Sequence, residues 1–183
     1  MSRIPSPAVE SLDDDARQIY DRMPMNVTLM MLGASPEVAR AFIAFGKSFY
    51  SGSALPPRLR EIAALRVAYL LGADYTLLQH IPIAEKAGVT KAELEAIREG
   101  GERAAELGAE GAAIVAFTDD VVRTSRAGDE PLRAVREFLD DRLVMDLTLA
   151  IGCYSTASCY MRTTGVDLDE APLDPQFHTA APS

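Results

Sequence analysis

Apolar and polar residues follow one another along most of the chain with the period of an amphipathic α-helix, and runs typical of β-strands are scarce. Residues 35–37, Ser-Pro-Glu, predict a helix start because they supply a cap residue, a first-turn proline and an acid near the positive end of the helix dipole. The apolar stripe of that helix comprises Val38, Phe42, Phe45 and Phe49. Pro56 and Pro57 predict the start of a second helix, and Gly72 predicts its end.

Helical patterns also cover the rest of the chain. The segment after the second helix predicts a helix that Pro82 bends or divides, because proline lacks the backbone donor that a helix interior needs. Residues 108–126 predict an amphipathic helix, and residues 141–165 a long helix that is buried in its first half. Residues 24–34 are apolar and predict a partly irregular segment. The pattern as a whole predicts an all-α bundle with short connections.

Length and composition fit one folded domain. The 183 residues are 48% hydrophobic, which is enough for a hydrophobic core and argues against disorder. The net charge of -9 and the lack of basic runs argue against binding to nucleic acid or to an anionic membrane. No apolar run is long enough to span a bilayer, and the first twenty residues contain no signal-peptide core, so we expect a cytoplasmic protein.

The two cysteines, Cys153 and Cys159, lie six residues apart on the predicted long helix. At 3.6 residues per turn their side chains point about 240° apart, so they cannot bond to each other within one helix. Thiols also stay reduced in the cytosol. We therefore expect both cysteines to be free and buried.

The two histidines of the chain, His80 and His178, differ in their surroundings. His178 lies in a tail rich in proline and small residues and is expected to be exposed. His80 lies among apolar residues of a predicted helix, as either a core histidine with one hydrogen bond or a proton-transfer group. Glu61 lies at the edge of an apolar stripe and points either to solvent, paired with Arg58 or Arg66, or inward. An inward carboxylate would fix the tautomer of the imidazole, which can then exchange protons near neutral pH.

The spacing of Glu61 and His80 resembles the core pattern of the alkylhydroperoxidase D (AhpD) family. In that pattern a glutamate is followed by cysteines twelve and fifteen residues later and by a histidine nineteen residues later; here Ala73, Thr76 and His80 stand at these distances. The surrounding sequence is similar to the signature that this family shares with carboxymuconolactone decarboxylases: LPPRLREIAALRVAYLLGADY, then QH, then IAEKAGVTKAELEAI. The best match covers residues 55–98, and the resemblance implies an AhpD-like helical bundle.

The chain departs from the AhpD pattern at the residues that carry its redox chemistry. That chemistry needs a Cys-x-x-Cys pair, in which one thiolate attacks the peroxide and the second thiol resolves the product. We therefore expect no thiol peroxidase activity of this type. The decarboxylase branch implies cofactor-independent decarboxylase, isomerase or cyclase chemistry on a small unsaturated acid or lactone. In this interpretation His80 is the general acid/base, and Glu61 is its orienting partner or a second base.

Four further residues are candidates for substrate binding. Arg66, one turn from Glu61, is placed either to bind a substrate carboxylate or to form a salt bridge with Glu61. Tyr75 and Gln79 flank the site and are candidate donors to an oxyanion, although Tyr75 fits a core aromatic as well. Thr76, one turn before the histidine, is expected to face the same pocket. No metal-ligand cluster and no phosphate-binding glycine motif appears in the sequence, so we expect neither a metal nor a cofactor.

The resemblance also implies a homo-oligomer, either a trimer or a hexamer, and the broad apolar helices fit such an interface. It divides the chain into an N-terminal helical arm (1–30), a carboxymuconolactone decarboxylase-like domain (31–170) and a loose C-terminal tail (171–183). Two other functions remain open. One is a non-catalytic binding or scaffold protein of the same fold, and the other, ranked last because the cysteine pair is missing, is an alkylhydroperoxidase-like antioxidant protein.

Overall fold

A computed structural model of the protein describes residues 2–172, so His178 and most of the predicted tail lie outside the described residues. Within this range the chain forms α-helices joined by short connections and two 3₁₀ turns, with no strand. The helices are α1 (Asp14–Arg22), α2 (Asn26–Leu32), α3 (Pro36–Ser51), α4 (Pro57–Leu71), α5 (Asp74–Lys86), α6 (Lys91–Glu99), α7 (Gly108–Thr124), α8 (Asp129–Arg136) and α9 (Asp141–Thr164). The 3₁₀ turns are Val9–Ser11 and Gly101–Leu107. The all-α prediction is confirmed.

Helix α4 lies at the centre of the bundle, where it packs against α5, α7 and α9. Every residue from Leu59 to Ala68 is buried, although the sequence predicts only one buried stripe. The ten residues include Arg60, Glu61 and Arg66. Because a charged group without a partner is very costly in a protein interior, each of these three side chains must be paired inside the bundle.

The helix boundaries follow the local signals in most places. Helix α3 has its proline in the first turn, and α4 ends at Gly72, whose φ of 63° is the left-handed conformation that glycine adopts without a steric penalty. Helix α5 continues through Pro82 from Asp74 to Lys86. The segment 24–34, predicted to be partly irregular, instead contains the helix α2. Its first backbone N–H, that of Asn26, is satisfied from far along the chain by Asp169, at 2.9 Å.

Helix α9 is the longest helix, and it is capped at its start by the side chain of Asp140. Its inner face is buried as predicted, but Met145 and Leu149 are more than half exposed, so the prediction of a buried first half holds for one side only. Cys153 is buried and Cys159 is exposed, which corrects the expectation that both are buried. Neither α9 nor any other helix within residues 2–172 has the length and apolarity needed to cross a membrane.

Candidate active site

Helices α4 and α5 bring Glu61 and His80 together in the interior. The Nδ1 atom of His80 lies 2.8 Å from the Oε2 atom of Glu61. Glu61 is completely buried, and His80 is 9% exposed. Of the two orientations that the sequence allows for Glu61, the structure therefore has the inward one.

Arg60, a residue that the sequence interpretation did not consider as a partner, holds the second oxygen of the carboxylate. Its Nε atom lies 3.1 Å from Oε1 of Glu61, and its Nη1 group donates to the backbone carbonyl of Phe49 at 3.1 Å. The guanidinium also lies 4.1 Å from the ring centroid of Tyr50, within the range of a cation–π interaction. Neighbouring positions on a helix normally point apart, which is why sequence spacing gave no signal for this pair.

The charges around Glu61 keep it ionised. Burial on its own raises the pKa of this carboxyl, but His80 and Arg60 together outweigh burial, so the pKa lies below its usual value. An ionised carboxylate accepts the proton-bearing Nδ1 of the imidazole. This selects the tautomer whose Nε2 atom is the proton acceptor, the arrangement needed for a general acid/base.

His80 is one wall of a cavity of about 160 Å³. A cavity of about 150 Å³ is large enough to hold benzene, so the space suits a small ring or short chain. Most of the lining is apolar, and it comes from the segment before α2 and from α2, α3, α5 and α9. Besides His80, the lining includes Met23, Met25, Val27, Thr28, Met31, Lys47, Tyr50, Tyr75, Thr76, Gln79, Cys153, Tyr154 and Met161.

Two tyrosines that the sequence interpretation did not single out complete the polar end of the cavity. The ring of Tyr154 meets that of His80 edge to face, with the centroids 5.0 Å apart. Its hydroxyl oxygen lies 3.2 Å from that of Tyr50. Burial raises the pKa of both phenols, and the charge of Glu61 raises them further, so both stay protonated and can donate hydrogen bonds. They lie on α3 and α9, far apart in the chain, and only the packing of these helices brings them together.

The predicted substrate-binding residues of α5 divide into two groups. Thr76, Tyr75 and Gln79 all line the cavity, so all three lie on the expected side of the helix. The Tyr75 hydroxyl, however, donates to Asp169, and Gln79 Nε2 donates to the same carboxylate at 2.9 Å. Hydrogen-bond donors already used in this way are poorly placed to stabilise an oxyanion. Thr76 Oγ1, by contrast, has no hydrogen-bond partner among the described residues.

Arg66 does not lie in this cavity, and its predicted role needs correction. Its side chain bonds both oxygens of Asp119, at 2.5 and 2.8 Å, and donates to the carbonyls of Ile97 and Arg98. It is 3% exposed and forms no salt bridge with Glu61 in the described structure. Because five residues separate Glu61 from Arg66 on α4, their side chains point about 140° apart, and on a helix that is buried all round they face different neighbours. These hydrogen bonds link α4 to α7 and to the end of α6.

A cation does line the cavity, but it is Lys47 and not Arg66. Lys47 lines the cavity from α3, is exposed, and forms no ion pair with the described residues. Sequence reasoning missed it because nothing in the spacing of α3 relates this position to the Glu61–His80 pair. The arrangement offers a buried acid–base pair at one end of the cavity and a positive charge on its solvent side.

The positions at which AhpD proteins carry cysteines hold no thiol. Ala73 is buried at the start of α5, and Thr76 lines the cavity. Cys153 does line the same cavity, but burial raises the pKa of its thiol to about 11, so it is not ionised at neutral pH. Among residues 2–172 no group of three or more histidine, cysteine or acidic side chains is placed to hold a metal ion.

Part of the chain matches a known family. The model of the carboxymuconolactone decarboxylase family matches residues 36–119, which contain helices α3 to α6 and both members of the Glu61–His80 pair. Residues 36–119, a little under half of the chain, are therefore similar to the carboxymuconolactone decarboxylase family. These residues lack the Cys-x-x-Cys pair of AhpD proteins. No curated relative matches the chain.

Two solved structures are similar in fold. An uncharacterized peroxidase-related protein of Ralstonia eutropha JMP134, described as an alkylhydroperoxidase AhpD core, has a TM-score of 0.76 and 20% identity, over 97% of this chain and 94% of its own. A protein of unknown function from Agrobacterium tumefaciens, named as a candidate antioxidant defence protein AhpD, has a TM-score of 0.65 and 18% identity, over 74% of this chain and 92% of its own. These likenesses establish the AhpD-like helical fold.

Proposed function

We propose that this protein is a cofactor-independent enzyme of the carboxymuconolactone decarboxylase type, which acts on a small unsaturated acid or lactone. The observation that carries the proposal is the 2.8 Å hydrogen bond between buried Glu61 and His80 at the wall of a ligand-sized cavity. The match of residues 36–119 to the family model supports the reaction class. The comparisons support no particular substrate, and the cavity limits the choice to small molecules.

The proposed reaction uses His80 as the group that moves the proton. Loss of CO2 from the substrate, or loss of a proton next to its carbonyl, leaves an electron pair that delocalises into an enolate or dienolate. His80 delivers or removes the proton at carbon, while ionised Glu61 stabilises the imidazolium and holds the ring in place. Glu61 is thus a positioning residue, because its two oxygens are occupied by His80 and Arg60.

Lys47 is proposed to bind a carboxylate of the substrate, the role that the sequence interpretation gave to Arg66. It is the cation that lines the cavity and carries no ion pair within residues 2–172. Its place at the exposed side suits a charged group, because a carboxylate there keeps part of its hydration while the apolar body of the molecule enters the cavity.

The test is an NMR assay in D2O with two probes, carboxymuconolactone and the β,γ-unsaturated lactone α-angelica lactone. The wild type is expected to release CO2 from the first probe or to exchange or shift a proton in the second. His80→Ala and Glu61→Gln should each lower the rate at least about 10²-fold, the size of a lost general acid–base contribution. Arg66→Lys serves as the control that perturbs α4 outside the cavity. Rates equal to those of the wild type in both variants would contradict the proposal.

A non-catalytic binding or scaffold protein of this fold is the second candidate, and one observation favours it. Glu61 is held by both Arg60 and His80, as expected of a structural ion-pair network. This alternative predicts that both substitutions lower the melting temperature while no probe is turned over by any variant. Antioxidant thiol chemistry ranks last, and we expect no turnover with a hydroperoxide and a dithiol reductant.

A further inference from the structure

We infer that Thr28 and Thr76 form a subsite for a neutral carbonyl oxygen in the cavity beside the Glu61–His80 pair. Both threonines line the same cavity from different helices, Thr28 from α2 and Thr76 from α5. Thr28 is 1% exposed and Thr76 is 3% exposed. Neither Oγ1 atom has a hydrogen-bond partner among residues 2–172.

Two buried hydroxyls without partners are unusual in a folded protein. A buried polar group normally finds a hydrogen bond, since leaving it without one costs free energy that folding does not recover elsewhere. A hydroxyl proton rotates towards whatever acceptor is present. A ligand oxygen with two lone pairs can therefore accept from both threonines, and a lactone, ketone or enone carbonyl provides such an oxygen.

The remaining lining decides the charge of the ligand group. Met25, Met31 and Met161 make much of the wall apolar. The buried guanidinium of Arg60, which packs on the lining residue Tyr50, is already bonded to Glu61. A carboxylate in the interior would lack a cation, whereas a neutral carbonyl needs only the two hydroxyls. The charged group of the ligand, where it has one, remains on the solvent side with Lys47.

This inference rests on the proposed function, because it assigns the polar contacts of a ligand in the same cavity. A carbonyl that accepts from two hydroxyls is polarised, and the negative charge that develops on its oxygen during enolisation is stabilised by the same two donors. Thr28 and Thr76 thereby take the role that the sequence interpretation gave to Tyr75 and Gln79, whose donors are bonded to Asp169.

Binding of three ring-sized probes to the full-length protein tests the subsite: cyclohexanone, benzene and cyclohexanecarboxylate, each titrated by NMR. The wild type is expected to bind cyclohexanone and benzene. Thr28→Val and Thr76→Val keep the side-chain volume and remove the hydroxyl. Each should weaken cyclohexanone binding roughly three- to tenfold, the range of one neutral hydrogen bond, and leave benzene binding unchanged.

The chain offers a matched control in Ser158. Its hydroxyl is also fully buried and without a partner, but it does not line the cavity. Ser158→Ala should leave the binding of every probe unchanged. Thr76→Ser, which retains the hydroxyl, should recover most of the cyclohexanone affinity. Because the valine variants remove an unsatisfied hydroxyl, their melting temperatures should be equal to or above that of the wild type.

Three results would overturn the subsite. One is cyclohexanone binding that the valine substitutions do not change, and another is a wild type that binds benzene alone or no probe. The third is binding of cyclohexanecarboxylate that is tighter than that of cyclohexanone and depends on the threonines, which would make this an anion site. The outcome is separate from that of the proposed function. Catalysis that is insensitive to His80→Ala, with binding sensitive to the threonines, refutes only the proton-transfer role.

Discussion

At the scale of single residues, Glu61 is the side chain on which the site depends. Its carboxylate lies between an imidazole and a guanidinium, and the three groups share a region with almost no solvent. The sequence predicted the pair of Glu61 and His80 from their spacing, and the structure has that contact. The sequence did not predict that Arg60 also bonds Glu61. The side chains of adjacent helix residues normally diverge, and these two meet because α4 is buried on every side.

The contacts of Glu61 with Arg60 and His80 make the stability of the folded protein decrease at acid pH. The pKa of Glu61 is lower in the folded protein than its ordinary value of about 4.3, so its contribution to stability is complete above that value. The contribution is lost as the pH falls through the lower, folded-state pKa. We expect the free energy of unfolding of the wild type, from urea titrations, to fall between about pH 5 and the acid limit of folding.

The Glu61→Gln variant should show less of this acid dependence. At neutral pH it should also be less stable by about 3 kcal/mol, because Arg60 is left buried without its carboxylate. Glu106→Gln is the control, since Glu106 is an exposed partner of Arg103 and its loss should have little effect at any pH. An acid dependence equal in wild type and Glu61→Gln would show that Glu61 is not the group responsible.

At the scale of elements, the segment after α9 determines the position of α2. Asp169 accepts hydrogen bonds from the backbone of Asn26, from the hydroxyl of Tyr75 and from the amide of Gln79. Asn26 in turn donates to the backbone carbonyls of residues 167 and 168. One carboxylate therefore ties the start of α2 to α5 and holds Thr28 at the cavity wall.

Removal of this carboxylate should loosen α2 before the rest of the bundle. In Asp169→Ala, we expect faster backbone hydrogen exchange in Asn26–Leu32 and a loss of about 2 kcal/mol in the free energy of unfolding, since a charge-assisted network is removed. Backbone hydrogen exchange in α4 should increase only by as much as the loss of global stability accounts for. Glu170→Ala is the matched control one residue away. Unchanged exchange in α2 would contradict the role given to Asp169.

At the scale of the whole molecule, α3 and α9 pack against each other and both leave apolar side chains in solvent. Val38 is 64% exposed and Phe45 38% on α3, while Met145 is 60% exposed and Leu149 54% on α9. An apolar surface of this kind is typical of a subunit interface. The homo-oligomer predicted from the family resemblance stays a prediction, and this face is where we place its interface.

Light scattering with size-exclusion chromatography tests this prediction. At micromolar concentration the wild type should elute as a trimer or hexamer, and Val38→Glu or Leu149→Glu should shift it towards the monomer, because a charge would be buried in the interface. Leu168→Glu, which changes an exposed apolar residue outside the two helices, should leave the mass unchanged. A monomeric wild type would exclude the interface.

The predicted division into an arm (1–30) and a domain (31–170) stays a prediction, but the cavity draws on both. Met23, Met25, Val27 and Thr28 contribute to its wall from the arm, and α3, α5 and α9 contribute the rest. The local pattern of residues 24–34 did not place them at the cavity. The hydrogen bond that caps α2 comes from Asp169, which lies far along the chain.

The sequence by itself determined most of the helices, several of their ends, the family resemblance and the fixed separation of Glu61 and His80. These are local properties, encoded in periodicity, cap residues and spacing within one stretch of chain. The tertiary structure alone decided which charges are paired and which polar groups reach the cavity. Arg66 bonds Asp119, Tyr75 bonds Asp169, and Lys47 and Thr28 line the cavity. These pairings are contacts between residues that lie far apart in the chain. Burial makes them necessary, and a local sequence pattern does not encode them.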